Sequence, residues 1–416
     1  MIDLLELKIL FDASLVDTVD ERHALVGVNL EELQIPLGAK SIHFRDDGSI
    51  GTSVLYHPWE SLPTSFTGMA FKVHLDGYFF PHVTIKASPA KILQGHNVFG
   101  FDDMALAVEE MLYQLGIAYP ALFGMLSIQS ATIVKFDITY SSRVDSPMQV
   151  RQLIDYMSRV SNGHTKPTKS KKFETTCYWG GQNSRLIRQK LYSKFEEYLA
   201  QLDDYKKLAK RGDAHARKIV TVMSDERILE IARKSVRWEC TFMSRWLERN
   251  GYPLNVWDFI RFQQSNDDLF PTLWKRGFNK IHEALEGQEM KYIDDTKLLA
   301  KLKSVHYREF FNEAGEVTKV SYRKALNLFS FYKQLQSVGY KELKDQNIYS
   351  VRRFNELVAD LCLCGFSKSY LQNLHVENNE TKVIPFVNFI NVDFSNQTPE
   401  WYEKPLSTPQ KLRLSA

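Results

Sequence analysis

Apolar positions in the first 150 residues recur every second residue in short runs, the period of half-buried β-strands. LLELKILF alternates near the start, and IHFRDDGSIGTSVLY reads as a hairpin turning at Asp46-Asp47-Gly48. MAFKVHLDGYFFPHVTIKAS repeats the pattern, with turn chemistry at Asp76-Gly77. Its last strand leads through Pro89 to a tight loop in which His96 and Asn97 follow Gly95, ahead of a helix from about Met104 to Leu115. The strand SATIVKFDITYSS then sets Asp137 between Lys135 and Thr139 on a polar face, with Ile133, Phe136, Ile138 and Tyr140 on the other.

From Met148 the period becomes helical, with Val150, Leu153, Ile154, Met157 and Val160 on one side and a stop at Ser161-Asn162-Gly163. FEEYLAQLDDYKKLAKRGDAHARKIV reads as one long charged helix, and SDERILEIARKS as another with Ser224 as its N-cap. The strand VRWECTFMSRWL places Arg237, Glu239 and Thr241 on one face and Val236, Trp238, Cys240 and Phe242 on the other. After about Leu285 the character changes to MKYIDDTKLLAKLKSVHYREFF, a turn NEAGEVTK and the helix SYRKALNLFSFYKQLQSVG. Two helices then flank Gly365, with Ser367 capping the second, as in an αα-hairpin or a helix-turn-helix. VIPFVNFINVDFSNQTPEWYEKP reads as a strand followed by extended chain. These elements predict an α+β fold: an antiparallel sheet with helices on one face over residues 1–288, and a smaller, mostly helical C-terminal domain over 289–416.

Composition narrows the function class. At 416 residues, 44% apolar and 25% charged, the chain is an ordinary globular protein of two or three domains. Its four cysteines form no CxxC pair and no disulfide framework, which points to a reducing cytoplasm. MIDLLELKILFD lacks the basic region of a signal peptide, and no apolar run approaches the ~20 residues of a membrane span. Net charge is only +3, yet residues 166–218 hold 14 Lys and Arg against 6 Asp and Glu. That basic window contains Tyr178 and Tyr192.

A phenol among cations suits phosphodiester transfer, because the cations attract phosphate, favour the phenolate and offset charge building on phosphorus. Strand tyrosines also serve simply as packing residues. In HTKPTKSKK, Lys166, Lys169, Lys171 and Lys172 fit either a solvated loop or phosphate contacts. Asp137 and Glu239, on separate strands, could hold Mg²⁺ or Mn²⁺ through oxygen, or pair across strands with Lys135 and Arg237.

Several stretches together resemble the gene II replication proteins of filamentous bacteriophages. They are HPWESLPTSFTGMAFK, FFPHVTIKASPAKILQGHNVFG, KFDITYS, VSNGHTKPTKS, LYSKFEE, VRWECTF, PLNVWDFIRF and VIPFVNFINVDFSNQTPEWY, in matching order along nearly the whole chain. The resemblance implies a rolling-circle initiator, an endonuclease that nicks the plus strand of double-stranded replicative-form DNA at the origin through a 5′-phosphotyrosine. It later cleaves and circularises the displaced single-stranded DNA. The implied partners are origin DNA, the displaced strand, a host helicase and the host replication machinery in the bacterial cytoplasm, with no membrane.

The family's nucleophile segment reads here as LYSK, which places the nucleophile on Tyr192, with Lys194 on the same strand face. CYWGGQNSR also resembles the nucleophile segment of related plasmid initiators and would point to Tyr178. Arg185 and Arg188 would offset added charge. The His-hydrophobe-His metal motif of such initiators is reduced to His82-Val83-Thr84, leaving Asp137 and Glu239 as metal candidates with His96 as a third. The family also implies a shorter product from an internal start, for which Met290 fits. The rival readings are a non-catalytic origin-binding regulator and a metal-dependent nuclease that uses water.

Overall fold

A computed structural model describes residues 1–35, 38–44, 50–54, 67–169, 175–181, 184–286, 295–377 and 392–415. The chain forms two compact units that interleave along the sequence. Met1–Val150, Gly181–Gly277 and Val392–Ala416 make the first; Arg151–Gly180 and Phe278–Asn391 make the second. The expected division into blocks 1–288 and 289–416 differs from this, because each unit draws on chain from both sides of that boundary. Met290, the Asp46-Asp47-Gly48 turn and VIPFVNFI lie outside the described residues.

The alternating runs of the sequence become strands β1 (Ile2–Leu10), β2 (Val16–Val19), β3 (Arg22–Leu25), β4 (Ala39–Phe44), β5 (Ile50–Val54), β6 (Met69–His74), β7 (Asp76–Gly77) and β8 (His82–Ala87). There follow β9 (Thr132–Arg143), β10 (Pro167–Lys169), β11 (Thr176–Trp179), β12 (Ile187–Ser193), β13 (Ser235–Met243), β14 (Arg308–Phe311) and β15 (Val317–Ser321). In the first unit the order is β12-β13-β9-β1-β8-β6-β4-β5, and neighbours run antiparallel. Asp76-Gly77 lies in the connection that reverses the chain from β6 to β8, as expected, and there also pairs with β3 in a small separate sheet. The mixed fold is the one the periodicity predicts.

One face of the large sheet is apolar because Phe136, Ile138, Tyr140, Trp238 and Phe242 all point to it. Helices Val256–Gln264 and Leu269–Leu285 bring Phe259, Phe270 and Trp274 onto that face, with ring centroids 5.5 and 6.1 Å from Phe136 and 5.8 Å from Tyr140. The approach is close at Gly277, where a Cβ would lie 2.5 Å from the Cys240 Sγ. There the Gly277 carbonyl accepts from Gln189 Nε2 at 2.8 Å. The tail returns to this unit: Gln397 bonds both backbone groups of Ser141, and Trp401 and Tyr402 pack edge-on against Phe99.

The long charged helix expected after Phe195 is two helices, Lys194–Lys210 and Ala214–Met223. Gly212, at φ 94°, breaks the run, and Asp213 caps the second piece by accepting from Ala216 N. The next helix is capped by Asp225 and not by Ser224. Among the described residues no helix is long and apolar enough to cross a membrane.

The second unit packs helices Asp295–Val305, Arg323–Val338, Tyr340–Asp345, Val351–Leu363 and Lys368–Glu377 around Leu302, Leu328, Phe331, Leu335, Leu361 and Leu371. Its last two helices turn at Gly365, φ 92°, and Ser367 Oγ accepts from Tyr370 N as the sequence predicts. The mid-chain segment is stitched in by Tyr156 Oη to Ser369 at 2.9 Å and by Arg159 Nε to Asn373 at 2.5 Å. Gln372 also bonds both backbone groups of Ser161.

Candidate functional site

Strand register assembles the polar face of the first unit. Arg188, Lys190 and Tyr192 of β12 stand opposite Thr241, Glu239 and Arg237 of β13, which stand opposite Asp137, Thr139 and Ser141 of β9. Residues directly opposed in an antiparallel pair share a face, so the polar rows of three strands become one surface. The row continues through Lys135 of β9, Glu6 of β1 and Lys86 of β8. Glu6 lies 3.3 Å from Lys135 and 3.8 Å from Lys86.

Tyr192 is at the edge of this surface and only 4% exposed. Lys190 Nζ sits 4.1 Å from the centre of its ring and 3.5 Å from Glu239 Oε2, so one ammonium touches both the phenol and the acid. Burial holds the Tyr192 hydroxyl well above its ordinary pKa of 10, and the carboxylates of Glu239, Asp3 and Glu197 raise it further against Arg237. Asp137 is half-buried, with its Oδ1 shut off from solvent and without a hydrogen-bond partner. Burial and then Glu239 push its pKa up to about 7, opposed by the Thr241 hydroxyl and Lys135.

Two acids on adjacent strands, one with an unused buried oxygen, suit a hard divalent cation that keeps most of its water. Among the described residues no group of three or more His, Cys, Asp or Glu is assembled for a metal. Water and substrate oxygens would therefore complete the shell. His96 is buried in the Gly95–Gly100 loop, and its Nδ1 accepts from Val98 N at 3.3 Å. Burial, Lys194 and Arg237 lower its pKa to about 3, so it is a neutral ring committed to its own loop.

Lys194 departs from the expected arrangement. β12 ends at Ser193, whose hydroxyl caps the helix by accepting from Glu196 N, so Lys194 is the first helical residue and not a strand neighbour of Tyr192. Its ammonium is fully buried, paired with Glu197 and donating to Asn97 Oδ1 at 2.7 Å. Burial lowers its pKa to about 8 even with Glu197 opposing. Asn97 in turn donates to Asp3 at 2.6 Å, and Arg237 donates to the carbonyls of Asn97 and Val98 at 2.7 and 2.5 Å. This network fixes the Gly95–Gly100 loop beside the site.

Of the other predicted residues, Arg188 shares the face of Lys190 and Tyr192, and Arg185 is exposed just before β12. Tyr178 belongs to β11 of the second unit, half-buried and opposite Thr168. Lys166 is exposed and lines a cavity of 590 Å³ in that unit together with Lys344, Lys368 and Glu283. Lys169 ends β10, and Lys171 and Lys172 lie outside the described residues. Sequence reasoning did not single out Lys190, although strand alternation from Tyr192 reaches it as directly as it reaches Lys194. Asn97, Asp3 and Glu197 meet only through the fold and gave no local signal.

A family model for the N-terminal part of the phage gene II replication-associated protein matches residues 1–266, and one for the C-terminal part of the same protein matches residues 316–408. The chain is 37% identical over 420 residues to the replication-associated protein of Enterobacteria phage fd, covering 98% of this chain and 99% of the relative. The same figures hold for that of Enterobacteria phage M13. Identity to that of Salmonella phage IKe is 35% over 427 residues, covering 98% of this chain and 97% of the relative. No solved structure matches the chain.

Proposed function

The chain belongs to the family of phage gene II replication-associated proteins, and on that premise we propose that it initiates phage DNA replication as a nicking and joining endonuclease. The observation that carries the reading is the meeting of Tyr192 and Glu239 at Lys190 on a polar face of three adjoining strands, with Asp137 further along the same face opposite Thr241. Tyr192 Oη forms a bond to phosphorus as the bond from phosphorus to the 3′ oxygen breaks. The phenolic proton passes to solvent water, and the 3′ oxygen leaves to take a proton from water. Lys190 and Arg188 offset the charge added to the phosphoryl oxygens. Asp137 and Glu239 are the residues that would hold Mg²⁺ or Mn²⁺, which when bound polarises the non-bridging oxygens of the scissile phosphate.

Rejoining reverses the same exchange: the free 3′ hydroxyl attacks the phosphotyrosine, and the phenol is restored. The linkage keeps the bond energy, so no nucleotide cofactor is required. The substrates are origin duplex and displaced single strand in the host bacterial cytoplasm, alongside a host helicase.

The test uses a supercoiled origin plasmid with Mg²⁺. Wild-type protein should yield relaxed circles and a protein–DNA adduct that survives denaturation; chelating the metal should stop both. Tyr192→Phe should abolish both while leaving origin binding intact. Nicking that persists in this variant moves the nucleophile to Tyr178, and nicking without adduct assigns the reaction to water. One observation favours the rival reading of a non-catalytic origin-binding regulator: Tyr192 is buried and its hydroxyl is hard to ionise. That reading requires no nicks from the wild type.

A further inference from the structure

The second unit carries a two-stranded ribbon, β14–β15, which among the described residues contributes no member to that unit's hydrophobic cluster. A lone two-stranded hairpin gains little stability in water, and this one displays aromatic rings outward. Tyr307, Phe310 and Phe311 are 54%, 39% and 60% exposed. The register separates the ribbon into two unlike faces. Phe310 stands opposite Lys319 and Arg308 opposite Ser321, so Arg308, Phe310 and Lys319 share one face with no carboxylate on it.

The acids lie elsewhere. Glu309, opposite Val320, is on the reverse face with Phe311, while Glu313 and Glu316 are at the Asn312–Glu316 turn. On the cation-bearing face the Arg308 guanidinium lies 5.0 Å from the Phe310 ring centre, and at the base of the ribbon Lys303 lies 5.3 Å from that of Tyr322.

We propose that this face of the ribbon binds single-stranded DNA, with an unpaired base stacking on Phe310 and Arg308 and Lys319 meeting the flanking phosphates. One ring set between two cations on an extended backbone supplies both terms that single-strand binding uses, stacking and phosphate neutralisation. A double helix offers no free base to stack, so the ring discriminates between the two forms. The proposal rests on the replication reading for its choice of ligand, and it adds a second contact with DNA outside the nicking site.

Binding of the full-length protein to fluorescein-labelled oligo(dT) of about 16 nucleotides, and to a duplex of the same length, is followed by anisotropy. Phe310→Ala should weaken oligo(dT) binding about tenfold and leave duplex binding within error. Arg308→Gln with Lys319→Gln should reduce the slope of log affinity against log salt by about 1.4. Melting temperatures of the variants should match wild type, because the residues are exposed. Unchanged oligo(dT) affinity in Phe310→Ala overturns the proposal, as does an equal loss on duplex. Loss of self-association with unaltered DNA affinity also overturns it, by identifying the partner as protein. Nicking of the origin plasmid is recorded on the same variants. If wild-type protein never nicks while Phe310→Ala still weakens oligo(dT) binding, the initiator reading falls and the ribbon stands.

Discussion

Lys190 occupies the position that the sequence reading gave to Lys194. Alternation along β12 was carried to Lys194, but the strand stops at Ser193, and the Ser193–Glu196 capping pair that stops it was legible as S-K-F-E. Lys194 instead holds Asn97 and Glu197, and the cation in contact with both phenol and acid is Lys190. Lys190→Met is expected to slow single-turnover nicking by about 10²-fold, the scale of losing one preorganised charge, with origin affinity within about threefold of wild type. Lys190→Arg should recover part of the rate. A Lys190→Met enzyme that nicks at the wild-type rate removes this residue from the chemistry. The acids were readable in kind, since Asp137 and Glu239 each interrupt an apolar strand from its polar side. Their adjacency was not, because it comes from β9 pairing with β13 across about a hundred residues of intervening chain.

Among the elements, period-2 runs were the most legible feature, and the strands around Ile2, Met69, His82, Thr132 and Ser235 follow them. Helix ends were read less well: Gly212-Asp213 divides one predicted helix, and Asp225 outcompetes Ser224 as a cap. Both outcomes are local chemistry that the sequence offered in two versions. The β6–β8 pair has a property that alternation alone could not disclose. It stacks His74 on His82 at 4.3 Å, with Lys72 beside both rings and Lys8 beside His82. Burial, then His82 and Lys72, lower the His74 pKa to about 4, and His82 is lowered as well.

In the unfolded chain these rings take up protons near their ordinary pKa of 6.5, before the folded ones do. Their contribution to stability is therefore complete above about pH 6.5 and is lost as pH falls toward 4. His74→Gln should flatten the melting temperature against pH between those limits. A variant whose profile overlays wild type would assign the acid sensitivity to other groups.

At the scale of the whole molecule, the sequence reading placed one boundary near residue 288, and the fold crosses between units four times. The mid-chain segment Arg151–Gly180 joins the second unit through Tyr156, Arg159 and Ser161, whose partners lie more than 200 residues away. No composition shift marks such a membership, which is why it was invisible in the sequence. A fragment beginning at Met290 keeps the hydrophobic cluster from Leu298 to Leu374 but loses those three anchor points. It is expected to fold with a lower melting temperature than the same region in the full chain, by circular dichroism. A peptide spanning 147–181, added in trans, should raise that temperature; no rise would mean that the segment contributes nothing to the fold.

The seat of Gly277 against Cys240 gives the site a lever on its reverse side. Cys240 is the next residue after Glu239 on β13, so a Cβ at position 277 would press on the strand from the face opposite the acid. Gly277→Ala should slow nicking without touching DNA. Cys240→Ala, by vacating the sulfur's volume, should act as its suppressor and restore nicking in the double variant.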